Sequence, residues 1–291
     1  MSRIEGQLFR MNPSMKIGDV SLNVSDLSRS LDFYQNILGF KIIGKPSGEK
    51  ALLSAAGASS YLVELLQVKE NPEPKRAGLY HFAILLPERK YLADMLQNLR
   101  ENRDQVHFDG LADHLVSEAI YLRDPDFNGV EIYRDRPASE WSWSGSRIEM
   151  ATLPLDTSDL LRESTDQGWK KMPIKTTIGH VHLHVRNVAK AIKFYNEILG
   201  LNLTATIPSA AFFAAGKYHH HIAANTWLGT DISPASSESV GLNHFSIVMP
   251  NKEEFQRLAD QLSKSGMAST MSERSGFVYD MDGIKIQVQH G

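Results

Sequence analysis

The chain repeats itself. Residues 15–40, MKIGDVSLNVSDLSRSLDFYQNILGF, align without a gap on residues 176–201, TTIGHVHLHVRNVAKAIKFYNEILGL, with ten of 26 positions identical. Further along, AGLYHFAILLP (77–87) matches VGLNHFSIVMP (240–250) at six of 11 positions, and each half then closes on a comparable acidic turn. Self-similarity on this scale makes the 291 residues a duplication of one unit of about 115 residues.

Each unit reads as a pair of smaller modules. Ile17–Val24 alternates apolar and polar residues with period two, the pattern of a strand with one face buried and one free for chemistry. A helix follows, capped by Ser25 or Asp26, carrying Leu27, Leu31, Tyr34 and Leu38 on one face and stopped by Gly39. The copy has Asn187 as cap, Ala191, Tyr195 and Leu199 as the stripe, and Gly200 as the stop. Short strand-like runs follow each helix, and the pattern restarts at 79–86 and 242–249, each run ending at a proline and leading into a second helix. Strand, helix, then three strands, four times over, predicts an α+β chain of tandem βαβββ modules. The expected divisions are a tail at 1–15, a first domain at 16–134 (modules 16–70 and 78–134), a connector at 135–177, and a second domain at 178–290 (modules 178–228 and 240–290). The connector holds Trp141, Trp143 and Trp169, which predicts packing against the domains instead of a free linker.

Composition narrows the chemistry. A formal charge of −3 with no clustered Lys or Arg argues against a nucleic-acid partner. No apolar run approaches a membrane span or a signal peptide, so a cytoplasmic location is expected. Cysteine is absent, which excludes disulfides, thiolate nucleophiles and iron–sulfur ligation, and leaves His, carboxylate, amide or water for any metal.

The signature I-G-H-V-x-L-x-V, a short helix ending F-Y-x-x-I-L-G-L, and the turn D-P-D-F-N-G-V-E-I-Y together resemble the vicinal-oxygen-chelate superfamily, which includes glyoxalase I, fosfomycin-resistance proteins and extradiol ring-cleaving dioxygenases. The likeness covers residues 16–134 and 178–290. Within it, ADHLVSEAIYLRDPDFNGVEIYRDRP and YHHHIAANTW resemble the two-domain bacterial catechol-2,3-dioxygenase-like members. The resemblance implies that paired modules curl mixed sheets into two cups, with a metal in a cup. It does not fix the reaction, because one scaffold here carries several chemistries.

The resemblance also implies where ligands stand: on the first and last strands of each module. In the first half these positions are Asp19, Glu64, His81 and Glu131, with Asp19 departing from the usual His. In the second half they are His180, one of His219, His220 and His221, His244, and Gln287, an amide where the first half has Glu131. Within the trio, register with Glu64 favours His221 as the inward residue and the H-H string favours His220. Such a His would move protons on bound substrate, with His219 as a substrate contact. His114 is a candidate base, and Glu118 a candidate partner for a substrate oxygen. The turn at Asp124, Asp126 and Asn128 is expected only to turn the chain.

The leading expectation is a ring-cleaving dioxygenase acting on a catechol-like diol with oxygen, using Fe(II) or else Mn(II), Zn(II) or Ni(II). A glyoxalase-like lyase or isomerase, acting on a dicarbonyl-derived substrate, and a metal-free binding protein are the alternatives. Which cup works, and whether the chain forms a homo-oligomer, stay open.

Overall fold

The computed structural model describes residues 9–69, 75–236, 238–267 and 269–291. Most of the expected N-terminal tail, residues 1–8, and residue 70 at the expected end of the first module lie outside the described residues. Four βαβββ modules are present. The first has β1 (Lys16–Val24), α1 (Leu27–Asp32), β2 (Lys41–Ser47), β3 (Lys50–Ser54) and β4 (Val63–Gln67). The second has β5 (Gly78–Leu85), α2 (Arg89–Glu101), β6 (His107–Asp113), β7 (Ser117–Arg123) and β8 (Gly129–Asp135). The connector contributes β9 (Trp143–Ser144), β10 (Arg147–Ile148) and α3 (Thr157–Leu161). The third module has β11 (Thr177–His184), α4 (Val188–Ile192), β12 (Asn202–Ile207), β13 (Ala210–Ala214) and β14 (Ile222–Asn225), and the fourth β15 (Gly241–Met249), α5 (Lys252–Lys264), β16 (Ser269–Met271), β17 (Ser275–Tyr279) and β18 (Lys285–His290).

The helix-start signals act as read. Asp26 and Asn187 accept hydrogen bonds from Arg29 N (3.0 Å) and Lys190 N (2.9 Å). Both helices then widen into π turns, Phe33–Ile37 and Lys193–Ile198, before stopping at Gly39 and Gly200, whose φ values of +79° and +75° only glycine adopts without strain. The turn D-P-D-F-N-G is a closed structural loop. Buried Asp124 accepts the backbone N–H groups of Asp126 and Asn128, the Asn128 amide and the Tyr34 hydroxyl. Asp280 and Tyr195 repeat the contact at 2.9 Å.

The strands form two eight-stranded mixed sheets, in the orders β16-β17-β18-β15-β1-β4-β3-β2 and β12-β13-β14-β11-β5-β8-β7-β6. This corrects the expectation that each half closes its own cup. β1 pairs antiparallel with β15, so the first module joins the fourth, and β5 pairs antiparallel with β11, so the second joins the third. The physical reason is that one apolar core runs between the sheets and the helices, and strand periodicity states which face is buried without naming the neighbour. The ligand positions are therefore regrouped. Asp19, Glu64, His244 and Gln287 share one sheet; His81, Glu131, His180 and the histidine trio belong to the other. The connector is packed, with Trp141 Nε1 donating to the carbonyls of Val116 (3.2 Å) and Arg136 (3.1 Å). Among the described residues, no helix is long and apolar enough to cross a membrane.

Candidate metal centre and its cavity

Three side chains converge at the middle of the second sheet. His81 on β5 and His180 on β11 come from neighbouring antiparallel strands, and Glu131 comes from β8 on the other side of β5. Glu131 Oε2 lies 2.9 Å from His81 Nε2 and 3.0 Å from His180 Nε2. All three residues are buried, and one ligand atom from each lies within 4.8 Å of the other two. The glycine of the repeated I-G-H-V motif explains part of this placement: a Cβ at Gly179 would overlap the Tyr133 hydroxyl, so only glycine leaves room for the Tyr133 side chain, reaching over from β8, beside His180.

The donor set fits a divalent ion. Two imidazoles and one carboxylate is the arrangement that leaves open positions on one side of a metal. His81 Nε2 has no hydrogen-bond partner: the Glu131 oxygen is near, but the angle is wrong for an N–H donor. A buried nitrogen in that state costs free energy unless something else satisfies it. Protonation agrees. Burial pushes His180 down to about 4 against the pull of Glu131, so its ring is neutral at pH 7. Burial alone would raise Glu131, but His180 and His81 outweigh it and hold the carboxyl well below its usual range.

A cavity of about 810 Å³ opens over these groups. His220 lines it, with its ring centroid 4.2 Å from that of His180. His219 Nε2 lies 2.9 Å from a carboxylate oxygen of Asp135, which can only accept, so this nitrogen carries the proton. Burial holds the His220 ring well below its usual range and so neutral, and with His219 Nδ1 accepting across the 2.8 Å contact, His220 Nδ1 donates. His220 Nε2 is left unprotonated. On the opposite wall, His114 Nδ1 donates to the Ala151 carbonyl (2.7 Å), so His114 Nε2 accepts from the Tyr121 hydroxyl at 2.7 Å. Burial, reinforced by Glu131, raises Tyr121 well above the usual phenol value and keeps it neutral.

Several expected residues stand elsewhere. His221 lines a separate groove with Met15 and Lys16, and its Nδ1 accepts from Ala215 N, so His220 is the cavity residue of the trio. His219 is fully buried behind His220 and does not reach the cavity. Glu118 is claimed by Arg89, Arg134 and Arg136, which leaves no free oxygen for a substrate. In the other sheet, Glu64 pairs with Lys50 and accepts from Ser21 (2.5 Å), Asp19 accepts from Ser246 (2.5 Å), and His244 Nε2 stands 3.8 Å from Asp19. The Lys50 ammonium already supplies a positive charge there. Gln287 lies on β18 beside Ser246 in the same sheet and does not join the converging set.

Sequence reasoning passed over His182, Tyr121 and Trp227, which also line the cavity. The signal for His182 was present: period two puts it on the same face as His180. Tyr121 is the register partner of Glu131 across β7 and β8.

A model of the glyoxalase/bleomycin resistance protein/dioxygenase superfamily matches residues 16–132 and 177–288. The chain is 39% identical over 274 residues to catechol-2,3-dioxygenase of Bacillus subtilis, covering 91% of this chain and 93% of that protein. Among solved structures, a Bacillus subtilis protein provisionally described as a dioxygenase shares the fold with a TM-score of 0.66 at 12% identity, over 97% of this chain and 86% of that one. Glyoxalase I from Zea mays shares it with a TM-score of 0.58 at 15% identity, over 95% and 92%.

Proposed function

Because the chain belongs to the glyoxalase/bleomycin resistance protein/dioxygenase superfamily, we propose that this enzyme is an extradiol ring-cleaving dioxygenase acting on a catechol-like diol, with His81, His180 and Glu131 holding a divalent metal, Fe(II) before Mn(II), Zn(II) or Ni(II). The observation that carries the reading is the convergence of two imidazoles and one ionised carboxylate beneath a cavity whose nearby proton-handling groups are His220, His182 and Tyr121. The metal would supply Lewis acidity and a template for two vicinal oxygens.

The chain's own residues do the rest. His220 Nε2, fixed as an acceptor by Asp135 and His219, takes a proton from a diol hydroxyl. Tyr121, its proton turned to His114, offers an oxygen that accepts from the second hydroxyl. A glyoxalase-like reaction would call for a second carboxylate beside the centre to move the proton. The other carboxylates on the cavity wall are Asp109, paired with Arg123, and exposed Glu149, and this favours the dioxygenase.

Oxygen uptake on catechol after anaerobic Fe(II) loading tests the reading. Uptake with a yellow ring-opened product supports it, and an inert protein with bound iron would sink it.

A further inference from the structure

The connector crosses the mouth of the cavity. The sheet holding the metal centre has β6 at one edge and β12 at the other. Leu153 pairs with Asp113 at the end of β6, Ala151 O accepts from His114, and β10 packs on β12. Residues 147–152 thus form a strap from rim to rim and line the cavity. They fall in the gap between the two stretches matched by the superfamily model, so this wall comes from the connector and not from the repeated modules.

One part of the cavity wall is apolar: Ile148 and Met150 of the strap line it together with Leu111, Ala112 and Ile207. Ile207 keeps 50% of its surface exposed and Trp227 49%. Apolar surface left open inside a concavity marks a place where an apolar ligand group gains by burial. Size agrees: a cavity of roughly 150 Å³ holds a benzene ring, and this one is about 810 Å³. Charge agrees as well. Arg123 is paired with Asp109 at 2.5 Å, and Arg147 and Glu149 place opposite charges two residues apart on the strap. No net positive charge awaits an acidic substituent.

Resting on the dioxygenase reading, we propose that the strap builds a subsite for an uncharged apolar substituent, so that the substrate is an alkyl- or aryl-substituted catechol and not a carboxylated one. The diol sits at His81, His180 and Glu131, and the substituent lies between Ile148, Met150 and Ile207.

Anaerobic calorimetry on the metal-loaded protein separates binding from turnover. With 4-propylcatechol, catechol and 3,4-dihydroxybenzoate as probes, the propyl compound is expected to bind about tenfold tighter than catechol, and the carboxylate more weakly than either. Ile207→Asp and Met150→Ser should each bring the propyl-to-catechol affinity ratio close to one. Both positions are partly exposed, so the fold does not depend on them. Equal affinities for the three probes, or an unchanged ratio in both variants, would overturn the subsite. Admitting oxygen afterwards tests the other reading: a propyl preference without oxygen uptake removes the dioxygenase and leaves the subsite, and uptake without preference does the reverse.

Discussion

His81 and His180 lie 99 positions apart in the sequence, yet their rings are 5.5 Å apart across β5 and β11 and share one oxygen of Glu131. Each half of the duplication thus supplies one imidazole to a single centre. His81→Ala and His180→Ala should therefore both lose bound metal, by a factor of at least about 100 in affinity, while His244→Ala retains it. Elemental analysis of the three purified variants beside the wild type checks this. Equal loss in His244→Ala would move the centre to the other sheet.

The Asp135–His219–His220 chain makes a kinetic prediction. Asp135→Asn can donate as well as accept, which frees His219 to adopt the other tautomer and His220 Nε2 to carry a proton. The turnover number should fall about tenfold to a hundredfold with little change in KM, and the acid limb of the pH–rate profile should shift. Replacing His220 by Ala should cost about 10²- to 10³-fold. A KM effect alone in Asp135→Asn would reduce that residue to a packing role.

Glu118 holds the connector to the second module through Arg89, which also binds Asp159 (2.7 Å) and Glu163 (2.8 Å). Burial would raise the Glu118 carboxyl, but Arg89 and Arg134 outweigh it and keep it ionised. Removing it takes a carboxylate partner from Arg89, Arg134 and Arg136, of which Arg89 keeps Asp159 and Glu163 and Arg136 keeps Asp113. Glu118→Ala should destabilise the protein by about 2–4 kcal/mol, read as a lower urea midpoint at unchanged slope. Glu118→Asp, which keeps the charge, should recover part of the loss; a wild-type midpoint in Glu118→Ala would show the network to be dispensable.

His221 predicts an acid-dependent loss of stability. Burial pushes it down to about 3, with His219 and His180 adding to the effect, whereas in the unfolded chain it titrates near 6.5. The unfolded state therefore binds the proton first as pH falls. The contribution is complete above pH 6.5 and is lost progressively toward pH 3, by about 2 kcal/mol between pH 6.5 and pH 5. Urea unfolding at pH 7 and pH 5 should show His221→Gln losing less than the wild type by about that amount. The same loss in both proteins would remove His221 from the acid response.

Much of this architecture was readable because it is local. Alternation in Ile17–Val24 and the caps at Asp26 and Asn187 depend on a few adjacent residues, and the repeat states them twice. His81, His180 and Glu131 were each placed by the family resemblance, which assigns ligands to particular strands. Their grouping was not readable, because the choice of β11 over β1 as the neighbour of β5 is made by residues far away in the chain. His220 and His221 could be told apart only once contacts such as the Ala215 N–H donating to His221 Nδ1 fixed where each ring lies. The strap at 147–152 has no period and no motif; its role exists only through the two sheet edges it bridges.

The pairing of the first module with the fourth and the second with the third gives the molecule a nested assembly order. All strands of the inner sheet lie between residues 78 and 225, so the candidate centre can close while the last module is still being synthesised. The outer sheet joins β1 to β15 and β18 and cannot close until the chain is almost finished. Its contacts have the longest sequence separation and the highest loop-closure cost. The sheet with the Lys50–Glu64 pair is thus the clasp that ties the two ends of the chain together.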